Sequence, residues 1–293
     1  TQPWKTLRAA LTALRAGDVL YVRGGTYSER LGGSTPITIA AGTSSAPIAV
    51  RAYPGERPVL EGLLWLRGAS YWTLDGLNVT WRADGAANEH MVKFTDGVGW
   101  RLTNSEIWGA KSYAALLIAG TTAGQPADWR VDNNCIRDTA STNSVNQDHN
   151  IYANTGVSAG AGSIDRNLLF NAPNGENVKV AGPDTAGGSA NIAIRYNTMF
   201  NASQPILVGG ATINTVIERN LIVQALKGYV LRGYNLVGSG NVARDNMAFG
   251  ADRLFWNDTG SSAGIADGGS NVFPTSPLFN STSTCSAFVP AAA

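Results

Sequence analysis

The stretch "QDHNIYANTG", residues 147–156, contains one of the two histidines of the chain beside Asp148, Asn150, Tyr152 and Asn154. The stretch "PNGENVKVAG", residues 173–182, repeats its rhythm: polar groups, Glu176 and Asn177 among them, then an alternating apolar core around Lys179, then glycine. A phenol and an amine held together form a proton-transfer pair. A lysine that is desolvated, or that lies near another cation, loses basicity and becomes usable as a base near neutral pH. Lys179, Tyr152, His149 and Glu176 are therefore the candidate catalytic groups.

Around them, Asn150, Asn177, Asn154, Lys93 and Arg232 are candidates to hold substrate hydroxyls and carboxylates. Asp148 and Glu176 carry oxygens of the kind a hard cation such as calcium selects. The same two carboxylates could instead form the acid pair of a glycoside hydrolase. Each residue alone also has a structural explanation. His149 with Glu176 can be a hydrogen-bonded pair at a bend, Asn150 with Asn177 a stacked amide pair, and Tyr152 a packing residue. Lys93, with Glu89 and His90, forms a weaker extension of the set.

These residues meet only if both stretches are strands on stacked turns. An internal repeat supplies that arrangement. The segments "SIDRNLLFNAP", "IAIRYNTMFNA", "TVIERNLIVQA" and "NVARDNMAFGA" share an apolar start, a polar pair, an asparagine and a second apolar run. Their asparagines are Asn167, Asn197, Asn220 and Asn246. Upstream, Asn134, Asn104 and Gly76 stand at the matching place, the earlier ones with a slip of about one residue. From Gly76 onward the positions differ by 28, 30, 33, 30, 23 and 26. That period suits one coil of a solenoid of short parallel strands. Asparagine tolerates the left-handed conformation, and its amide can bond the asparagine above and below. The expected fold is all-β: a right-handed parallel β-helix.

Between the asparagine segments run strand cores whose central residues are Lys93, Leu117, Tyr152, Lys179, Leu207 and Leu231. Strand neighbours face opposite ways, so Ile151, Val178 and Ile206 inside put Tyr152, Lys179 and Leu207 outside. Arg166, Arg195 and Arg219 fall on another face and are expected to be structural or solvated. Trp72, Trp100 and Trp129 recur at repeat starts and are expected to be structural. The organisation is one domain over 1–293: a cap helix in 1–17, with leucines at helical spacing; coils over 18–257; and a loop-rich tail over 258–293.

The composition agrees. The chain has 293 residues, is 44% hydrophobic, 15% charged, and carries a net charge of +1, which exerts no long-range pull on nucleic acid or an anionic membrane. No apolar run reaches membrane-spanning length. A monomer acting on a polysaccharide is expected. The start at "TQPWKTL" is taken as a mature end after a removed leader. Cys135 and Cys285, 150 positions apart, could pair or remain two buried thiols.

"RAGDVLYVRGGTYSERL", followed by "GTSSAPIAVRAYPGERPVLEG", resembles the opening of secreted bacterial right-handed β-helix proteins of the pectate-lyase-like superfamily. The resemblance extends to about residue 250. "PNGENVKV" is similar to a strand of the alginate and chondroitin-B lyase family. There a lysine base works with an arginine, and calcium can neutralise the substrate carboxylate. The strands that follow in that family have no counterpart here, nor has the multi-aspartate calcium site of pectate lyases. The resemblance implies a secreted polysaccharide lyase acting on a uronic-acid glycan by β-elimination. A glycoside hydrolase or a non-catalytic carbohydrate-binding solenoid are the alternatives.

Overall fold

The asparagine repeat becomes the corner of a coil. The structure, a computed structural model, describes residues 3–86, 89–140, 147–182, 186–225, 228–251, 253–258, 260–273 and 284–286. Each coil passes through three parallel walls. The first wall is a ten-stranded sheet running from Val19–Val22 to Ala266–Asp267. The second and third walls belong to one fifteen-stranded sheet. They are fused by two long strands, Leu168–Val180 and Thr198–Gly209, that run through both without a break. All pairing within the three walls is parallel, as in Ile151↔Val178 and Val178↔Ile206.

The interior is a set of like-on-like columns. Val50, Leu74, Leu102, Val131, Ile164, Ile194, Ile217 and Ala243 follow one another in register and are all buried. Stacking on a period of about 4.8 Å lets each side chain cover the one below, which gives a continuous core without helices. Trp100 lies between Phe94 and Trp129, with ring centroids 4.3 and 5.5 Å away. Trp72 is fully buried as well, so the repeated tryptophans are structural.

At the first corner the amide ladder runs through Asn134, Asn167, Asn197, Asn220, Asn246 and Asn271. Each Oδ1 accepts from the backbone N–H one coil below at 2.9–3.1 Å. The left-handed conformation belongs to the residue before the ladder. Arg166, Tyr196 and Arg219 have φ of 54°, 57° and 55°. The one-residue slip of the early members has this cause: Gly76 and Asn104 occupy that preceding position, with φ of 77° and 53°, and Ser105, the residue after Asn104, stands at the ladder position, its amide donating to Asn134 Oδ1.

The cap helix is Leu7–Ala13, with the Thr6 hydroxyl accepting from the Ala9 amide at its start. It buries Leu7, Ala10 and Leu11 against the first coil. Coils continue past residue 257, into the Asn271 rung. Cys135 and Cys285 form a disulfide, with Cα atoms 6.0 Å apart, which fixes residues 284–286 to the middle of the second wall. Among the described residues no helix is long and apolar enough to cross a membrane.

Candidate active site

Lys179 and Tyr152 are paired in register on the third wall. Both lie on its outer face, and the Lys179 ammonium stands 4.9 Å from the centroid of the Tyr152 ring. The inward neighbours Ile151 and Val178 are fully buried and hold the two strands against the core. The outward column reads Trp65, Lys93, Leu117, Tyr152, Lys179, Leu207, Arg232, Trp256. Arg232 rather than Leu231 belongs to it, because Leu231 pairs with Ile206 and points into the core. In a strand, a slip of one residue exchanges the two faces.

His149 and Glu176 lie beneath this pair. Their side chains are 1% and 0% exposed, and His149 Nδ1 is 2.6 Å from Glu176 Oε2. Nδ1 is also 3.3 Å from the Glu176 amide nitrogen. A bare ring nitrogen and a carboxylate oxygen repel at 2.6 Å, so a proton lies between them and the closer contact governs. Gly175 makes the approach possible: a Cβ there would come within 1.8 Å of the Asp148 carbonyl oxygen. Gln204, in register with Glu176, continues the buried polar line.

Burial sets the protonation of the outer pair. It pushes the Tyr152 phenol up to about 12, so the phenol keeps its proton. It lowers Lys179 below the ordinary lysine value; Glu176 opposes that shift and Arg232 adds to it. His149 is likewise lowered by burial, against the pull of Glu176. His90 completes the surround. Its ring lies 6.4 Å from that of Tyr152 and 6.2 Å from Tyr113, and burial lowers it to about 3. Both histidines of the chain thus make edge contacts with one tyrosine, the His149 ring centroid lying 5.7 Å from that of Tyr152.

Other sequence candidates are placed differently. Asn154 shares the Tyr152 face two residues on and is half-buried. Arg232 reaches back toward Glu176: Nη1 donates to Gln204 Oε1 at 3.1 Å, while Nε and Nη2 grip Asp258. Asn150 and Asn177 are corrected from substrate ligands to corner residues. Both are fully buried; Asn177 Nδ2 donates to Asn150 Oδ1 at 2.8 Å, and Asn150 Nδ2 to the Thr139 hydroxyl and the Phe170 carbonyl. Lys93 is corrected too. It is 8% exposed, with its ammonium on the Gly33 carbonyl at 2.5 Å and over the Trp65 ring at 3.9 Å.

Calcium fits these residues poorly. A hard cation wants six to eight oxygens. Among the described residues no group of three or more His, Cys, Asp or Glu could hold a metal. A cation on Glu176 would have to displace an imidazole. Asp148, also fully buried, accepts from Asn174 Nδ2 at 3.2 Å.

Gln204 and Tyr113 were missed in the sequence. Gln204 had a readable signal: it precedes Ile206 at the offset by which Glu176 precedes Val178. Tyr113 had none, since only the stacking of coils brings it to His90.

No family model matches the chain. A pectate lyase of Emericella nidulans, PEL9, is 38% identical over 61 residues, which is 20% of this chain and 14% of that protein. Among solved structures, pectate lyase Pel9A has a TM-score of 0.55 at 14% identity, covering 94% of this chain and 77% of its own. Alginate lyase AlyF-OU02 has 0.54 at 17%, covering 90% and 60%. A tailspike protein of E. coli bacteriophage HK620, solved with a pentasaccharide, has 0.54 at 12%, covering 91% and 53%. The likeness is one of fold: a parallel β-helix of the kind found in polysaccharide lyases. The chain spans about three fifths of the alginate lyase's length and a seventh of the curated pectate lyase's.

Proposed function

We propose that this parallel β-helix is a secreted polysaccharide lyase that cleaves a uronic-acid glycan by β-elimination on its third wall. The observation that carries the reading is the Lys179–Tyr152 pair. On two adjacent coils, a lysine made less basic by burial stands 4.9 Å from the ring of a phenol that keeps its proton. Elimination needs those two states: a base for the proton on the carbon next to the carboxylate, and an acid for the departing glycosidic oxygen.

In this reading neutral Lys179 takes the α-proton. The electron pair forms the new carbon–carbon double bond, the β-carbon–oxygen bond breaks, and Tyr152 protonates the leaving oxygen. Solvent then returns a proton to the phenol and removes one from the amine. Charge that develops on the carboxylate during proton removal requires a cation. Arg232, drawn toward Glu176 through Gln204, is the residue assigned that role. The buried His149–Glu176 pair positions the strand ends beneath and places an acidic neighbour under Lys179.

Two observations bear on the alternatives. Glycoside hydrolysis needs two carboxyl groups facing the sugar, about 5 to 9.5 Å apart. Asp148 and Glu176 are both fully buried, which favours elimination. The Cys135–Cys285 disulfide favours an oxidising compartment and hence secretion.

The deciding experiment is a panel of polyuronates and neutral glycans, with and without chelator, followed by ultraviolet absorbance of unsaturated sugar ends and by reducing ends. Absorbance rising with reducing ends on a polyuronate, chelator or not, is expected. Reducing ends without absorbance would move the assignment to hydrolysis. Binding without turnover would leave a carbohydrate-binding solenoid.

A further inference from the structure

The outer face of the first wall carries a hollow that takes no part in the reading of the third wall. Strand pairing sets one outward column there as Arg101, Arg130, Ser163, Ala193 and Val216, and the next as Thr103, Asp132, Asp165, Arg195 and Glu218. Val131, Ile164 and Ile194, between them in sequence, point into the core. Ser163 and Ala193 are short. Gly162 adds nothing, since a Cβ there would come within 1.9 Å of the Trp129 indole. The wall therefore sinks between Arg130 on one coil and Arg195 two coils on, about 10 Å apart. Asp128 and Asn191 stand at one end of the hollow and Arg166 at the other. Its volume is about 420 Å³, within the span of roughly 300–1,000 Å³ that small-ligand sites occupy.

The charges around this hollow are unequally satisfied. Arg195 grips Asp165 through two bonds of 2.9 and 3.1 Å. Asp132, whose side chain is 2% exposed, is held in the same way by Arg101, at 2.6 and 2.5 Å. Arg166 consequently reaches Asp132 only at 4.0 Å and keeps 56% of its side chain in solvent. Arg130 is exposed and has neither an ion pair nor a side-chain hydrogen bond with a described residue. On the floor, the Ser163 hydroxyl bonds no described residue either. Asp128, exposed at the rim, has no ion pair among the described residues. Asn191 is occupied: Nδ2 donates to the Ala159 carbonyl at 2.9 Å, and Oδ1 accepts from Asn214 at 3.1 Å.

Two guanidinium groups with donors to spare, a hydroxyl on a small-residue floor and a carboxylate at the rim define the ligand. An anionic group suits the forks of Arg130 and Arg166. Hydroxyls suit Ser163 and Asp128. A saccharide unit that carries an acidic group has both. A neutral sugar would leave the two arginines unanswered, and a bare inorganic anion would leave the floor and Asp128 unused. A nucleic-acid backbone wants an unbroken cationic track, which Asp128 and Asp165 interrupt.

We propose that the first wall holds a second, non-catalytic binding site for one acidic sugar unit of a polysaccharide, formed by Arg130, Ser163, Arg166 and Asp128. It lies on a different wall from Lys179 and does not depend on the lyase reading. A polymer anchored there is tethered to the solenoid, so its neighbouring stretches meet the third wall at a raised effective concentration.

The test is a nuclear magnetic resonance titration of the full chain carrying Lys179→Ala, which keeps a cleavable ligand intact. The probes are trigalacturonate, trimannuronate, a sulfated trisaccharide, neutral maltotriose and inorganic sulfate. An acidic trisaccharide should shift the backbone amides of Arg130, Ser163 and Arg166, and maltotriose should not. Adding Arg130→Ala should raise the dissociation constant read at Ser163 about tenfold, the loss expected for one charge-assisted hydrogen bond. Adding Ala193→Leu, which fills the floor from an outward position, should abolish the shifts. Unchanged amides elsewhere in each variant show that the fold is kept. Tighter binding of the sulfated trisaccharide than of the uronates supports the site and identifies its anion as a sulfate ester. Silence at these amides with every acidic trisaccharide, an equal response to maltotriose, or a response that survives both variants would overturn the proposal. Inorganic sulfate binding as tightly as any saccharide would overturn it too, by reducing the hollow to a simple anion site. The lyase reading is decided separately, by cleavage in the wild type: shifts without cleavage fail that reading alone, and cleavage without shifts fails this proposal alone.

Discussion

His149 Nδ1 and Glu176 Oε2 lie 2.6 Å apart with almost no solvent exposure, in a protein whose other ion pairs mostly lie at the surface. A pair sealed from water depends on both members: removing one leaves an uncompensated polar group in the wall, at a cost of about 3–5 kcal/mol. Glu176→Ala and His149→Ala should each lower the urea unfolding free energy by that order. A Glu176→Ala protein unfolding at the wild-type midpoint would mean that the pair is not formed.

Lys179→Ala and Tyr152→Phe should each lower kcat on a cleaved polyuronate by roughly 10²–10⁴-fold, the usual contribution of a positioned proton donor or acceptor. Their unfolding midpoints should move less than those of the His149 and Glu176 variants, since both side chains face outward and are only half-buried. If either variant retains near-full kcat, the outer pair is not the acid–base couple.

The pH profile follows from two shifts. Lys179 works as the base when neutral, and burial lowers its pKa from 10.5, so activity should rise with pH through a midpoint below the ordinary lysine value. Tyr152 works as the acid when protonated and is raised to about 12, so the fall on the alkaline side should come late. Replacing Arg232 by Gln removes a cation that helps depress Lys179, and the rising limb should then move to higher pH. A limb that stays in place would detach Arg232 from the site.

In the amide ladder, Asn197 accepts from the Asn167 amide and donates to Asn220 Oδ1 and the Ile164 carbonyl, all within 2.9–3.0 Å. Asn197→Leu leaves those buried partners unpaired and should cost about 2–5 kcal/mol. Asn104→Gly, one position off the ladder at φ 53°, should cost under about 1 kcal/mol because glycine accepts that conformation freely. Equal losses in the two variants would contradict the ladder as drawn.

Cys135 and Cys285 close a loop of 150 residues. In the chain-entropy account such a cross-link adds up to about 5 kcal/mol. A Cys135→Ser/Cys285→Ser double variant should melt at a lower temperature than oxidised wild type and match reduced wild type. Identical melting of oxidised and reduced protein would exclude a stabilising role.

The repeat was legible because a parallel β-helix writes its geometry into the chain. Each buried amide needs its like one coil away, so asparagine returns on the coil period, and alternation within strands separates Ile151 and Val178 from Tyr152 and Lys179. That sufficed to name the architecture and the outer pair. The left-handed corner was not readable by residue type, since Arg166, Tyr196 and Arg219 occupy it; stacking on both sides imposes there what their own preferences resist. The strand pattern gives Leu231 the outward place that Arg232 holds in the structure, because one residue of register decides the face.

The sequence by itself determined the period, the parallel coils and the adjacency of Tyr152 and Lys179, all of which follow from interactions between one coil and the next. Only the tertiary structure decided which polar groups meet solvent. Lys93 lost its access to Gly33, 60 residues away, and Asn150 and Asn177 were drawn into a corner. The disulfide that the spacing left open was settled the same way. Exposure depends on which distant loops cover a wall, and short-range pattern carries no record of that.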